Sequence, residues 1–550
     1  MTLAISGVRR RGRARTPVAD QRYLNMSKGI NVFASEEFID DQEGSSAMNA
    51  NFIETGGITK AYGWEKVGSG LVNAPRGLAS YYPTGLPNIL LTIDGTAMKY
   101  LSGSIWTSLA GSITFVHSDR VCFVQAEGKL FIHNGSNSST VLDGLTLSRP
   151  ATTVRAAFGI YYGDKQIVSG VREQPNRLYI SDPNDVSDFT NANPTGTGKY
   201  SVYDSTTHPG ATDFSGSGAN YIDVAKDDGD KITALAKYQT QLIIFKERSI
   251  YSLEFDANGL PTISLVTNAI GCVSHWSVDS VDNDMIFASR KGYYVFGTQQ
   301  NYFDQLRTNE LSLKIRPFIK AIVATNLPRT TSIWHDNIYY SAVTTGNSAT
   351  NNRVYSYHRQ YTGWMPNDFI AANAFTEFID ASNEEGLYYA HETDPSVWRQ
   401  TTGFNNGTDP IAMFWESKAY DFGLFDVQKR YVDVTLLFRQ LSGSVKVTII
   451  IDGNQITRSY NISGSSFSGG MGRGLLGQAL LGGSSETGVS PTATTTQNIP
   501  IRLDIGEQGR TIKVRVENAN LGESFVLLGL DFGYRRYGRN NFPAEQRIYA

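Results

Sequence analysis

One stretch of the sequence matches the glycine pattern of a dinucleotide-binding loop. It is "GRGLLG", with Gly472, Gly474 and Gly477 at the three glycine positions. That pattern cradles a pyrophosphate only when it follows a buried strand and opens the helix of a βαβ unit. Here it follows a Ser/Gly-rich run without a βαβ unit around it, so we expect no cofactor.

Histidine and cysteine are placed without the spacing of a metal site or a nucleophile. No two histidines are four residues apart, and none has a cysteine at metal-ligand spacing. Cys122 and Cys272 lie inside apolar runs, which predicts buried, reduced thiols. No G-x-S-x-G motif occurs. We therefore predict neither a metal site nor an enzyme. The histidines, expected at the surface or in the core, are His117, His133, His208, His275, His335, His358 and His391.

The stretch "DVAKDDGDK" concentrates carboxylates that could attract a cation. They are Asp223, Asp227, Asp228 and Asp230. A calcium loop also needs a glycine at its sharp turn and a closing bidentate glutamate, and both are missing. A solvated turn before a strand is the favoured interpretation, although ion binding stays open.

The charges Lys246, Glu247 and Arg248 separate two apolar runs in "KITALAKYQTQLIIFKERSIYSLEF". Runs of four to six apolar residues divided by polar breaks predict three short strands joined by tight turns. The mixed signs are typical of an exposed hairpin tip. We expect these three residues to be solvent cover or subunit contacts, with no chemical role.

The composition favours an all-β chain of more than one domain. The 550 residues include 53 Gly, 29 Tyr and 27 Phe but only 8 Met, a mixture of turn formers and strand-favouring aromatics. The formal net charge of −3 argues against a general nucleic-acid coat. No apolar window is long enough for a membrane helix.

The strand–turn–strand rhythm recurs from about residue 78 to 420. Each copy is a set of short runs rich in Ile, Val, Tyr and Phe that ends in a Gly or Asn turn, as in "RVCFVQAEGKLFIHNG". Units of about 40–50 residues with four short strands are typical of a β-propeller. We predict about six to seven blades over 78–420, with a Ser/Thr/Gly-rich insertion near 183–220, because each meander must bury both faces against its neighbours.

The chain changes character beyond residue 421. Longer alternating strands on both sides of a Gly/Ser-rich stretch predict a β-sandwich over 421–550 that carries an excursion at 463–497. Four leucines in the excursion are too apolar for a free linker, and we expect them to close a constriction or contact another subunit. They are Leu475, Leu476, Leu480 and Leu481.

Residues 1–30 form a basic arm, with seven Lys or Arg and one acid. The densest run is expected to contact an acidic neighbour or DNA in a channel. It comprises Arg9, Arg10, Arg11, Arg13 and Arg15. The arm has no apolar core of a secretory signal, so synthesis in a host cytoplasm is expected. Residues 31–77 are expected to complete the propeller or a platform.

Several motifs, in order, resemble one family. "YLNMSKGINVFASEEFIDDQEGSSAMNANFIETGGITKAYGWEKV" (23–67) has a K-G-I-N start, a run of acids, an A-x-N with a following Phe, and a G-G-I-x-K-x-x-G hairpin. "PNRLYISDPNDVSDF" (175–189) and "AIGCVSHWSVDSVDNDMIFASRKGYYVF" (269–296) match the same family's blades. Residues 20–420 thus resemble the tail tube nozzle or hub proteins of short-tailed phages, also called packaged-DNA stabilisation or tail tubular proteins.

This resemblance implies a structural virion protein. Such proteins form a homo-oligomeric ring, a hexamer in that family, below the portal and its adaptor (the head-to-tail connector protein). The ring contacts tail fibres or spikes, holds packaged DNA and conducts it during ejection. The resemblance therefore implies a tail location, transient DNA contact, and no cofactor, metal or membrane span.

Two other classes stay open from the residues alone. A propeller that binds receptors or glycans would present aromatic-lined pockets, which the Tyr and Trp content permits. A polysaccharide hydrolase or lyase would gather carboxylates or histidines at the propeller's central channel.

Overall fold

The computed structural model describes most of the chain. The described residues are 18–53, 56–116, 120–189, 200–201, 220–226, 228–256, 261–299, 305–380, 382–453, 456–463, 497–503 and 507–536. In this part of the chain, helix is confined to the 3₁₀ turns His275–Ser277, Leu313–Ile315 and Ala324–Arg329 and one α-helical turn, Arg316–Lys320.

Seven antiparallel sheets of four or more strands follow one another along the chain as propeller blades. Each blade is a meander whose first strand is innermost. Tight turns connect its short strands, so glycine and asparagine recur at short intervals. The first four blades are Pro75–Tyr81, Ile89–Asp94, Ala97–Ser102 and Ile105–Ser108; Cys122–Ala126, Lys129–His133, Thr140–Asp143 and Thr146–Ser148; Phe158–Tyr162, Lys165–Ser169, Arg177–Ile180 and Asn220–Asp223 with Tyr200–Ser201 beside it; and Ile232–Tyr238, Gln241–Lys246, Ile250–Phe255 and Pro261–Thr267.

The last three blades complete the ring, and blade 7 takes a strand from the N-terminal part of the chain. Trp64–Lys66 pairs antiparallel with Val397–Gln400. The blades are Asp279–Val281, Asp284–Ser289, Gly292–Gln299 and Gln305–Glu310; Thr331–His335, Ile338–Val343, Arg353–His358 and Gly363–Asn367; and Ala372–Ile379, Glu385–His391, Val397–Gln400 and Trp64–Lys66, with the short strands Asn405–Asn406 and Asp409–Pro410.

The faces of the blades are buried against each other, as the alternating apolar residues predict. Leu78 and Trp106 of blade 1 share one buried cluster with Phe378 and Val397 of blade 7, so the ring of blades is closed. The predicted propeller is therefore confirmed, and the described residues form seven blades, where about six to seven were expected.

Two further sheets combine strands from both ends of the chain. The first has the order Ala50–Phe52, Ile58–Lys60, Ser524–Arg536, Lys429–Ser442 and Gln497–Arg502, with Ala19–Leu24 on Ser524–Arg536 and Gln508–Gly509 on Lys429–Ser442. The second has the order Gly44–Met48, Met413–Ser417, Ile512–Asn518, Ser444–Ile451 and Ile456–Ser463. Both sheets supply residues to one buried cluster, for example Phe532 and Trp415, which also contains Trp364 of blade 6. The β-sandwich over 421–550 stays a prediction.

The turn Lys246-Glu247-Arg248 is not simple solvent cover, and that prediction is wrong for Lys246. The Lys246 side chain is fully buried, and its Nζ lies 2.7 Å from Asp228 Oδ2 and donates to the Ala225 carbonyl at 3.2 Å. The Asp230 carboxylate accepts the backbone N–H groups of Glu247 and Arg248, at 2.9 and 3.0 Å. The loop before blade 4 thus binds the Lys246 ammonium through Asp228 and Ala225, and it binds the backbone of the turn through Asp230.

Ion pairs and hydrogen bonds within the chain hold three of the four aspartates in "DVAKDDGDK". Asp223 forms a bidentate pair with Arg177 at 2.6 and 2.8 Å. Asp228 and Asp230 hold the turn around Lys246. Asp227 lies outside the described residues. In the described part of the chain no group of three His, Cys, Asp or Glu side chains could hold a metal ion.

Replacement of Lys246 by Met should destabilise the protein by about 2 kcal/mol, since Asp228 then loses the cation that compensates it. Asp228 is 31% exposed and can regain some hydration, so the cost stays below that of a fully buried pair. Lys237→Met, an exposed lysine on the innermost strand of the same blade, is the matched control. Thermal unfolding of both variants measures the difference; equal midpoints would refute the assigned role of Lys246.

Candidate functional site at the propeller axis

The innermost strands run in the same direction along the axis, so the residues that precede them meet at one end of the central channel. Arg120 precedes the inner strand of blade 2, the turn His275–Ser277 precedes that of blade 5, and Arg329 precedes that of blade 6. Arg120 precedes the other residues by more than 150 positions, yet its guanidinium contacts the Trp276 ring and the Arg329 carbonyl. This is the place where a propeller enzyme or ligand-binding propeller would gather its polar groups.

Arg120 forms a bridge across the axis. Its Nη1 donates to the carbonyl of Arg329 at 2.9 Å, and its Nη2 donates to the carbonyl of Asn373 in blade 7. Its guanidinium lies 4.7 Å from the ring centroid of Trp276, a cation–π contact with blade 5. One side chain of blade 2 is therefore fixed to blades 5, 6 and 7.

The charge of Arg120 is retained in this setting. Burial, together with the cation Arg329, lowers its pKa to about 10 despite the nearby Glu392 carboxylate. At neutral pH it remains a guanidinium. Glu392 is almost fully buried and forms an ion pair with Arg329, whose side chain is 41% exposed, so the pair joins the buried end of the channel to its surface.

Cys122 and His275 form a pair that resembles a nucleophile and its base. The Sγ lies 3.4 Å from Nε2 of the imidazole. Burial raises the pKa of the Cys122 thiol to about 12 and lowers the pKa of His275 to about 4, so both groups are neutral at pH 7. A reactive cysteine needs the opposite shifts, towards thiolate and imidazolium.

The hydrogen bonds of His275 fix its role as a structural one. The backbone N–H of Leu235 donates to Nδ1 at 3.4 Å, which leaves the proton on Nε2 and directs it at the Cys122 sulfur. The imidazole also stacks on Phe158, with ring centroids 4.9 Å apart. The pair thus joins blades 2, 3, 4 and 5 by neutral contacts. Sequence spacing could not have indicated it, because the two residues are 153 positions apart.

The remaining described histidines are also explained by local contacts. His133 is buried, with Nδ1 2.6 Å from Ser139 Oγ and Nε2 3.0 Å from the Gln166 amide, and burial lowers its pKa to about 3. His358 packs edge-on against Phe52 at 4.8 Å, and burial lowers its pKa to about 3. His391 accepts the backbone N–H of Asp394 at 2.9 Å. His117 and His208 lie outside the described residues.

A second polar group links the neighbouring inner strands of blades 5, 6 and 7. Asp279 accepts the backbone N–H of Trp334 at 2.6 Å. His335, the next residue, pairs with Glu377 at 2.7 Å. Burial, with a contribution from the Glu377 charge, raises the pKa of Asp279 to about 7. The Asp279 carboxyl group can therefore take up a proton near neutral pH.

Several predicted contact residues lie outside the described residues. These are Arg9, Arg10, Arg11, Arg13 and Arg15 of the basic arm, the leucines Leu475, Leu476, Leu480 and Leu481, and the glycines Gly472, Gly474 and Gly477. Their roles stay predictions. No helix in the described part of the chain is long and apolar enough to cross a membrane.

Arg120→Lys should destabilise the propeller by about 2 kcal/mol, because an ammonium cannot keep both carbonyl bonds and the flat contact with Trp276. Arg155→Lys is the matched control, since Arg155 precedes the inner strand of blade 3 and is exposed. Chemical denaturation of both variants measures the effect. If both variants unfold at the wild-type denaturant concentration, Arg120 does not hold the blades together.

Asp279 should make stability depend on pH. Its pKa is raised from 3.8 to about 7 in the folded chain, so the native state holds a proton that the unfolded chain releases between these values. The Asp279 contribution to stability should therefore fall as pH rises through this window, by at most about 1.4 kcal/mol per pH unit, against the opposite contribution of His133, His275 and His358, whose lowered pKa values make stability rise with pH. Asp279→Asn removes that opposing contribution, so the thermal unfolding temperature should rise more steeply with pH across this window than in wild type.

The exposed Asp336, in the turn between the first two strands of blade 6, provides the control. Asp336→Asn should keep the wild-type slope. An Asp279→Asn profile parallel to wild type between pH 4 and 7 would contradict the assigned protonation.

Comparison with known proteins adds fold-level likenesses only. The sequence matches no protein-family model and no curated protein. The chain is similar to the extracellular domain of the one-component system BT4673 from B. thetaiotaomicron, at 9% identity and a TM-score of 0.39, over 70% of this chain and 43% of that one. It thus spans less than half of that protein.

Two smaller proteins are covered almost completely. Virginiamycin B lyase from Staphylococcus aureus is similar at 9% identity and a TM-score of 0.38, over 62% of this chain and 99% of that one. BamB from Moraxella catarrhalis is similar at 12% identity and a TM-score of 0.31, over 64% and 97%. These likenesses concern the fold alone, and the propeller assignment depends on the strand order described above.

Proposed function

We propose that the chain is a structural virion protein, a nozzle or hub subunit that assembles with copies of itself around a channel for DNA. The proposal starts from the phage-like motifs of residues 23–67, here named the clasp segment. The position of these motifs in the structure supports the proposal. Each of them forms a joint between the propeller and the two other sheets.

Residues 19–66, which include the clasp segment up to Lys66, add strands to the two sheets outside the propeller and then to blade 7. Ala19–Leu24 pairs with Ser524–Arg536, Gly44–Met48 with Met413–Ser417, and Ala50–Phe52 with Ile58–Lys60. Trp64–Lys66 then closes blade 7. A single stretch of chain therefore ties every part of the subunit together.

The motif residues themselves have contacts that need their identity. Gly29 has φ +77°, and a Cβ there would lie 2.6 Å from the backbone nitrogen of Trp364. Asn49, the asparagine of A-x-N, donates to Asp368 at 2.7 Å and accepts that residue's N–H at 2.9 Å. It thereby fixes the end of blade 6.

The hairpin G-G-I-x-K-x-x-G is explained in the same way. Lys60 is fully buried and donates to Asn518 Oδ1 at 3.1 Å and to the Asn520 carbonyl at 2.9 Å. Burial lowers its pKa to about 8. A Cβ at Gly63 would collide with the Asn405 carbonyl. The motifs shared with the phage family are therefore the joints of a rigid subunit.

Rigid subunits suit a conduit that must resist the force of packaged DNA. The axis of the propeller is crossed by Arg120 and the Cys122–His275 pair, so DNA would pass between subunits and not through a propeller. A net charge of −3 suits passage, since extensive phosphate neutralisation would hold DNA in place. Under this proposal the chain has no catalytic role.

Native mass spectrometry and negative-stain imaging of the purified full chain test the proposal. We expect a closed ring of one defined size. A chain that stays monomeric at all concentrations and binds members of a glycan array would instead be a receptor- or glycan-binding propeller. Cleavage of a polysaccharide panel would favour a hydrolase or lyase.

A further inference from the structure

A small cavity lies where the clasp segment meets blades 6 and 7. It has a volume of about 20 Å³. Its walls come from the clasp strand Ala50–Phe52, from the closing strand Trp64–Lys66, from three strands of blade 6 and from Val397–Gln400 of blade 7. The cavity is therefore at a seam where strands of three different sheets meet.

The wall of the cavity is polar but carries no charge. Its amide groups belong to Asn51, Asn367 and Gln400, and its hydroxyl groups include those of Tyr340 and Ser356. All the lining residues belong to the described chain, and none of them is an Asp, Glu, Lys, Arg or His. An ion would meet no opposite charge here, so this wall suits a neutral molecule that donates and accepts hydrogen bonds.

Asn367 brings a buried polar atom without a partner to this wall. The residue is 4% exposed, and its Oδ1 has no hydrogen-bond partner in the described chain. Its Nδ2 donates to Ser356 Oγ at 2.8 Å. The opposite orientation of the amide would exchange these roles and leave the N–H group without an acceptor. In either orientation, one buried polar atom of Asn367 needs a partner.

The clasp segment fixes the backbone on both sides of Asn367. The Asn49 N–H donates to the Pro366 carbonyl at 2.9 Å, and the Asp368 N–H donates to Asn49 Oδ1 at 2.9 Å. Asn367, the last residue of the strand Gly363–Asn367, lies between these two bonds. Its amide is therefore held at the cavity.

Other groups of the wall have hydrogen-bonding capacity left. The Gln400 amide donates to the Tyr340 hydroxyl at 3.3 Å, and Asn51 Oδ1 accepts the Phe52 N–H at 2.9 Å. Within the described chain, Gln400 Oε1, the Tyr340 O–H proton and Asn51 Nδ2 have no further partner. Together with Asn367 these groups offer both donors and acceptors, which is what a buried water needs for its about two to four hydrogen bonds.

We propose that this cavity binds one ordered water molecule, which joins Asn367 of blade 6 to Asn51 of the clasp segment and Gln400 of blade 7. Size selects this ligand, because a water needs roughly 10–15 Å³ of such a volume and a sugar or nucleotide needs far more. The polar wall keeps the site filled, since cavities that stay empty are apolar. This water site does not depend on assembly of the chain into a ring.

A crystal structure of the full chain, at a resolution that shows ordered water, tests the site directly. We expect one water within hydrogen-bonding distance of Asn367 and of Asn51 or Gln400. An empty cavity would overturn the proposal. A cation or a molecule from the crystallisation solution in place of the water would overturn it as well.

Variants test which residues hold the water in solution. Asn367→Leu removes the buried polar atom and keeps a side chain of similar shape, so the number of long-lived internal waters, counted by magnetic relaxation dispersion of water ¹⁷O, should fall by one. Asn283→Leu is the matched control, because Asn283 is exposed in the turn between the first two strands of blade 5. It should keep the wild-type number. An unchanged number in Asn367→Leu would show that Asn367 does not hold a water.

A milder variant tests the bridge to blade 7. Gln400 is only half-buried, so Gln400→Met should fold, which near-UV circular dichroism checks. The variant removes one partner of the water and keeps the volume of the side chain. The water should therefore remain and exchange faster in the same relaxation measurement. A residence time equal to that in wild type would contradict the bridge.

Discussion

A meander of four short strands has two apolar faces, and this constraint governs the whole molecule. Each face can be buried only against another blade, so the sheets are stable only as a closed ring. Closure depends on Trp64–Lys66, which pairs with Val397–Gln400 and links the two ends of the propeller. Trp64 is almost fully buried, 4.7 Å from the Tyr389 ring, so the closing strand is also a core element.

The closing strand has a consequence for the other two sheets. The strands that precede it along the chain, between residues 19 and 60, all belong to those two sheets. Lys60 shows the coupling, because its buried ammonium donates to Asn518 and to the Asn520 carbonyl, which lie in the C-terminal part of the described chain. The segment that closes the propeller therefore also contacts the C-terminal strands, so several distinct contacts fall within a short stretch of chain.

The sequence predicts local features well and long-range ones poorly. The blades were predictable because strand alternation and turn residues act within a few positions. The role of Lys246 was not, since a lysine in a mixed-charge turn looks exposed and only the loop at Asp228 and Asp230 encloses it. The bridge from Arg120 to Asn373 spans 253 positions, and no local pattern announces it.

The chemistry of the axis follows from the same geometry. The inner strands bring Cys122 and His275 within 3.4 Å, but enclosure by neighbouring blades removes the water that would stabilise a thiolate or an imidazolium. Burial between the blades therefore also leaves the Cys122–His275 pair neutral. A propeller built in this way has its inner residues committed to holding the blades, and its surfaces remain as the part available for partners.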